Sequence, residues 1–302
     1  MKNKILVAGA TGNLGTRICR ELILRNTDVI ALVRPEADSE KIEILTDMGV
    51  RVLKADLTDI ESIANACFGV DCVVSALAGL GDVIVDMQKR LLDGALKAGV
   101  PRFIPSDFCT DYTDLVPGEN RNFDLRRAFR TYVDAMPVKA TSIFNGAFAD
   151  ILKYNTPVLN LKDKSIGYYG DNAAWKLDFT TMDETAAFTA EASLDDSTPR
   201  NLQIASFQIS PNELWEAVKS ITGHEFSMYK KSSLDEFAQF IKKQRAENPS
   251  GENELYAKWQ QAQYMYSMFS TQHLDLANDR YENLNWTTGL AYIKSFIIPH
   301  AD

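Results

Sequence analysis

Three glycines spaced at three, Gly9, Gly12 and Gly15, follow the apolar run Ile5-Leu6-Val7 and open a helical pattern with Leu14, Ile18 and Leu22 on one face. Strand, glycine turn and helix start, in that order, are a device for anion capture. The first amides of a helix have no internal partners, and glycine lets a pyrophosphate approach them. A side chain at Gly9 or Gly12 would hold the anion away, and one at Gly15 would push the helix off its sheet. A second apolar run, Val29 to Val33, ends at Arg34, about 20 residues on, where a doubly wound domain meets the adenosine ribose. An acid there accepts from a free 2′-hydroxyl, whereas the planar fork of arginine suits a 2′-phosphate. Lys41 is placed to reach the same group from the next helix. NADP(H) is therefore the expected cofactor, with NAD(H) left open if Arg34 stacks on adenine instead. Solvated surface charges are the bland alternative for Arg34 and Lys41.

The elements that must position these groups alternate from residue 4 to 104. Ser39 to Asp47 reads as a helix and Val50 to Leu53 as a strand ending at Ala55-Asp56-Leu57. Thr58 with Glu61 has the spacing of a capping box, opening a helix that carries Ile60, Ile63 and Ala64. A strand follows at Cys72 to Ser75, then a long amphipathic helix, Val83 to Ala98, with Ile84, Met87, Leu91, Ala95 and Ala98 in one stripe and Gly99 to end it. Arg102 to Ile104 is a short fifth strand. Such alternation predicts an α/β fold, a Rossmann-type doubly wound parallel sheet over residues 1–150, with ligands at the carboxyl ends of the strands. Those ends are Gly9 to Gly15, Arg34, Asp56-Leu57, Ser75 to Leu77 and Ser106-Asp107.

Beyond Phe148 the alternation stops, and residues 151–302 read as a smaller α+β substrate-binding region, part of which can add back to the sheet. Strands are expected at Lys164 to Tyr169, Leu202 to Ala205 and Phe226 to Tyr229. Thr181 with Glu184, Ser210-Pro211 with Glu213, and Ser233 with Glu236 each mark a helix start. Asn248-Pro249-Ser250-Gly251 breaks the chain before a helix that aligns Leu255, Trp259, Ala262, Tyr266 and Phe269, with Met265 and Met268 beside them. That stripe is either core or the wall of an aromatic-accepting cleft, to which Phe148, Trp175 and Phe179 would contribute.

Composition excludes several classes. With 302 residues, 45% hydrophobic and 24% charged, the chain can bury a sizeable core, and its net charge of −9 argues against a nucleic-acid or anionic-membrane surface. Lys230-Lys231 and Lys242-Lys243 are short and flanked by acids. Cysteines at 19, 67, 72 and 109 make no Cys-x-x-Cys pair, and His224, His273 and His300 are isolated, so no metal site is expected. The apolar run near Met1 is too short for a signal peptide and no stretch reaches membrane-spanning length, so a cytoplasmic location is expected.

Gly9 to Gly15, Ala31-Leu32-Val33-Arg34 with Ser39-Glu40-Lys41, Val74-Ser75-Ala76, Arg102 to Phe108 and, more weakly, Asn278 to Tyr281 together resemble the NmrA-like and isoflavone-reductase-like atypical short-chain dehydrogenases. The resemblance implies that Gly9, Thr11, Gly12, Asn13, Leu14 and Gly15 hold the pyrophosphate and that Arg34 and Lys41 hold the 2′-phosphate. It places Asp56 and Leu57 by the adenine, and Ser75, Ala76 and Leu77 beside the cofactor. Asn145 matches the asparagine that ends the family's sixth strand. One departure stands out: the family's reductases carry lysine where this chain has Arg126, in Phe123-Asp124-Leu125-Arg126. Arginine keeps the charge, but with a pKa above ~12 it is a very poor proton carrier. No Tyr-x-x-x-Lys pair occurs either. A quinone-like acceptor can take hydride to give a stabilised oxyanion, with Arg126 or Ser106 acting electrostatically and water supplying the proton. The expectation is thus an NADPH-dependent oxidoreductase acting on a small aromatic or quinone-like substrate. The alternative is a non-catalytic NADP(H) redox sensor that acts on a protein partner, which the missing lysine at Arg126 favours; the bland reading of Arg126 itself is a helix-surface residue that pairs with Asp124 or other acids.

Overall fold

A computed structural model describes residues 2–298, so His300 lies outside the described residues. Near-continuous apolar runs form central strands because a parallel sheet is covered on both faces. The strands are β1 (Lys4–Ala8), β2 (Asp28–Val33), β3 (Arg51–Lys54), β4 (Cys72–Ser75), β5 (Arg102–Ile104) and β6 (Lys139–Ala140), with β7 (Ser142–Phe144) following. The first six make one parallel sheet in the order β3-β2-β1-β4-β5-β6, whose direction of winding reverses between β1 and β4. Register sets the site. Ala8 pairs with Leu32 on one side and Ser75 on the other, so the turns after β1, β2 and β4 emerge level at one edge.

The connecting helices are α1 (Asn13–Leu24), α2 (Ser39–Asp47), α3 (Ile60–Ala66), α4 (Gln88–Lys97) and α5 (Arg121–Asp134). Leu6, Ile30, Ile63, Val73, Leu91 and Phe103 meet in the core they build. Two expectations change here. Thr58 does not cap α3: its amide and hydroxyl go to Asp56 Oδ1 at 2.8 and 2.7 Å, and Asp59 takes the cap, accepting from Glu61 N at 3.0 Å. Two aspartates, stronger acceptors than a threonine hydroxyl, outcompete it. The helix expected from Val83 begins instead as a π-turn, Asp82–Met87, and becomes α-helical only at Gln88.

The chain continues through β8 (Ala147–Phe148), β9 (Ser165–Tyr169), β10 (Leu177–Thr180), α6 (Met182–Leu194) and β11 (Asn201–Gln203, beside β7). It ends with β12 (Phe207–Ile209), α7 (Pro211–Thr222), β13 (Ser227–Ser232), α8 (Leu234–Glu247), α9 (Lys258–Met268) and α10 (Gly289–Ile297). Contacts divide it into two units. One comprises the chain up to Phe108, Asn122–Phe144 and Met182–Leu202; the other comprises Cys109–Arg121, Asn145–Thr181 and the chain from Gln203. A single cut after residue 150 therefore does not describe the division. Within the first unit α6 packs on α1, where Arg25 Nε donates to Glu191 at 2.8 Å, Arg17 and Arg20 pair with Asp183, and the Arg102 guanidinium caps the last carbonyls of α6.

In the second unit β12-β10-β8 form a small mixed sheet and β9 pairs in parallel with β13. Leu177, Phe179, Leu214, Val218, Phe269 and Ile293 form its core. Both expected boxes on α7 and α8 are present, Ser210 with Glu213 and Ser233 with Glu236. On α9 the buried face differs from the expected stripe. Trp259 and Met268 are buried, but so are Gln260, Gln263 and Ser267, while Ala262 and Tyr266 are only half-buried. The polar face serves backbone, since Gln263 Oε1 accepts from Arg121 N at 3.1 Å. Phe179 lies fully in the core, and Trp175 Nε1 donates to Met268 O at 3.0 Å. All four cysteines are buried thiols.

Candidate functional site

The first turn of α1 is uncapped. Gly12, its N-cap residue, offers no side chain, and Gly12 N donates back to Gly9 O at 3.0 Å. The loop holds its shape through close backbone packing. Gly9 is left-handed at φ +79°, and a Cβ there would stand 2.5 Å from Ala76 O. A Cβ on Gly15 would run into the Gly9 carbonyl, so that glycine is needed by the loop and not, as the sequence suggested, by the sheet. Gly12 is different. Its Cβ would meet only Gly9 O, at 3.2 Å, and the residue is exposed, so this is where a missing side chain leaves room for a ligand. Asn13 is held by Arg17, whose Nε donates to its Oδ1 at 3.0 Å, while Thr11 and Leu14 are half-buried beside it.

Arg34 leaves β2 with its side chain 65% exposed and a loose pairing to Glu36 at 3.6 Å, and Lys41 is exposed in the first turn of α2. Asp56 commits its carboxylate to Thr58, and those hydrogen bonds hold it below the usual carboxylate range. Leu57 is buried and packs into the sheet core. Ser75 is fully buried at the end of β4, and its hydroxyl has no protein partner. Ala76 is half-buried, and Leu77 O accepts from Ser106 Oγ at 2.6 Å.

Arg126 sits on α5 with Nε donating to Ser106 O and Nη1 to Asn122 O, both at 3.1 Å. Its neighbour Arg127 pairs with Asp124 at 3.0 Å. Arg126 is held to the turn after β5 through Ser106 O. Gln88, which sequence reasoning passed over, ties the same turn from behind: fully buried, it accepts from Ser106 N at 3.0 Å. A glutamine on the apolar stripe between Ile84 and Leu91 was the available signal.

In the second unit Asn145 is fully buried after β7. Its backbone is fixed by Cys109 O at 3.0 Å and Thr180 Oγ1 at 2.6 Å, while both polar atoms of its side chain lack a protein partner. Buried polar atoms are normally satisfied, so Ser75 Oγ and the Asn145 amide mark places where a bound group or water completes the structure. Uncapped amides, an exposed guanidinium past β2 and an orphaned hydroxyl at the end of β4 fit a dinucleotide with an extra phosphate. Among the described residues no cluster could hold a metal ion, and no helix is long and apolar enough to cross a membrane.

The chain is 29% identical over 244 residues to pinoresinol reductase 1 of Arabidopsis thaliana, covering 74% of this chain and 76% of that protein. It is 25% identical to an isoflavone reductase of Glycine max over 98% of this chain and 99% of that one. A solved structure described as AtPrR2 with NADP+ and (+)pinoresinol shares the fold at a TM-score of 0.80 and 23% identity, over 98% of this chain and 99% of that one. The model of the NmrA-like family matches residues 1–285, and the chain belongs to that family.

Proposed function

We propose that the protein is an NADPH-dependent reductase of a small aromatic or quinone-like substrate. The observation that carries this reading is the grouping, at one edge of the sheet, of the uncapped α1 N-terminus, Arg34, the Ser75 hydroxyl and Arg126. The amides after Gly12 would hold a pyrophosphate, Arg34 with Lys41 the 2′-phosphate, and Ser75 to Leu77 would flank the rest. Reduced nicotinamide bound there supplies a hydride. Arg126 holds a fixed positive charge where negative charge develops on a reduced acceptor, and it cannot give up its proton at neutral pH. Water then supplies the proton, which suits acceptors whose oxyanions are already stabilised. Names borne by relatives, pinoresinol and isoflavone reductases, support a phenolic or aromatic class.

The test is NADPH oxidation, followed by the loss of the reduced cofactor's near-ultraviolet absorbance, against a panel of quinones and aromatic carbonyl compounds. Arg126→Ala and Arg34→Ala are assayed beside wild type. Turnover that falls roughly a hundredfold in Arg126→Ala supports the reading, a magnitude typical of a lost electrostatic stabiliser. Arg34→Ala is expected to weaken NADPH binding about tenfold or more and to leave NADH unchanged. Binding without turnover of any acceptor overturns it. That outcome favours the second reading, a redox sensor, for which arginine in place of the family lysine is the motivating observation. A sensor must bind NADPH and NADP+ with clearly different affinities, and equal affinities dispose of it.

A further inference from the structure

Gln88 lies fully buried at the junction of the π-turn and α4. In α-helical register its main-chain N–H would serve Ile84 O, four residues back. The π-turn takes that donor away, since Gln88 N reaches back five residues to Val83 O instead. The side chain replaces it, with Nε2 donating to Ile84 O at 2.7 Å. The other end of the same amide, Oε1, accepts from Ser106 N at 3.0 Å. Ser106 then fixes two more groups: its hydroxyl donates to Leu77 O at 2.6 Å, and its carbonyl receives Arg126 Nε at 3.1 Å. One planar amide thus couples the π-turn after β4, the turn after β5 and the guanidinium on α5. π-Turns of this kind recur at functional sites.

We propose that Gln88 is a positioning residue for Arg126, acting through the Ser106 peptide. This rests on the reading of Arg126 as the working cation of the site. Neither end of the amide is replaceable by shape alone. Gln88→Met keeps the volume but leaves Ser106 N–H and Ile84 O buried without this partner, so the Ser106 turn loses its anchor. Gln88→Glu is the informative variant. Ionised, it can accept from Ser106 but has no proton for Ile84 O; protonated, it restores both bonds, and burial favours the protonated form.

Proton exchange at the Ser106 amide and at Arg126 Nε–H is followed by nuclear magnetic resonance in wild type and both variants, with steady-state kinetics in parallel. In Gln88→Met both protons are expected to exchange about tenfold faster, as loss of one buried hydrogen bond implies. The NADPH dissociation constant stays unchanged, and kcat falls roughly ten- to a hundredfold. In Gln88→Glu both protection and kcat recover as pH is lowered, which a merely structural role would not produce. Unchanged Arg126 exchange in Gln88→Met, an unchanged kcat, or a Gln88→Glu whose protection and kcat are the same in acid and in alkali overturns the proposal. If wild type reduces no acceptor, the proposed function fails, and the exchange data alone decide whether Gln88 holds Arg126. If Gln88→Met does not fold, the pH dependence of Gln88→Glu decides.

Discussion

Gly9, Gly12 and Gly15 are one residue type under three demands. Gly9 needs a left-handed backbone and close approach to Ala76, Gly15 needs contact with the Gly9 carbonyl, and Gly12 leaves open the start of α1. Alanine substitution separates them. Gly9→Ala is expected to destabilise the protein by about 1–3 kcal/mol, because φ is wrong for alanine and the carbonyl of Ala76 is in the way. Gly12→Ala, at φ −82° and with only a 3.2 Å contact, should cost little stability. It should instead weaken NADPH binding roughly tenfold, by standing between the phosphate and the amides. Urea melts and cofactor titrations of the two variants check both halves, and matching losses of stability would contradict the assignment. The spacing of these glycines was legible in the sequence, but the division of labour among them was not, because it depends on the carbonyls of Gly9 and Ala76. Arg126 was legible in the same partial way: its type and position are in the sequence, while its tie to Ser106 O needed α5 laid against the turn after β5.

At the scale of elements, helix starts were readable where a single cap had no competitor. Ser210-Pro211 with Glu213 and Ser233 with Glu236 form as their spacing requires, whereas Thr58 lost its place to Asp59 and became a partner of Asp56. The π-turn was hidden because the apolar stripe of Ile84, Leu91 and Ala95 survives one widened turn almost unaltered. The box on α7 carries a pH signature. Burial works upward on the Glu213 carboxyl, but hydrogen bonds from the Ser210 amide and hydroxyl, with the charge of Lys176, outweigh it and hold the group below the usual carboxylate range. A depressed value means the folded state prefers the ion, so the stability it lends is present above the ordinary glutamate range and drains away as pH falls through the depressed value. Ser210→Ala is expected to cost about 1 kcal/mol at neutral pH and less in acid. Urea denaturation at neutral and acid pH measures this, and a cost that does not shrink in acid would rule out the carboxylate as its source.

At the scale of the molecule, the first five strands of the parallel sheet were legible, since its central strands need apolar runs and its helices a stripe, whereas the two-residue edge strand Lys139–Ala140 carries no such signal. The apportioning of the chain was not legible. Residues 182–202 return to the first unit because α6 lies on α1 and Arg102 closes its last turn, pairings over more than ninety residues of sequence that no local pattern announces. Just inside the second unit, Gly146 is left-handed at φ +63° and set so that a Cβ would stand 2.5 Å from Asp178 O. The buried thiols give this partition a practical use. Burial pushes Cys19, Cys67 and Cys72 up to about 12, so these three present almost no thiolate to an alkylating reagent in the native protein, and Cys109 is shielded by its burial. These three belong to the first unit and Cys109 to the second. Alkylation pulses through a denaturant series, counted by peptide mass, should therefore label Cys109 on one schedule and the other three together on another if the units open separately. One shared schedule would mean that they open as one, so the chain carries its own two-channel clock for how it comes apart.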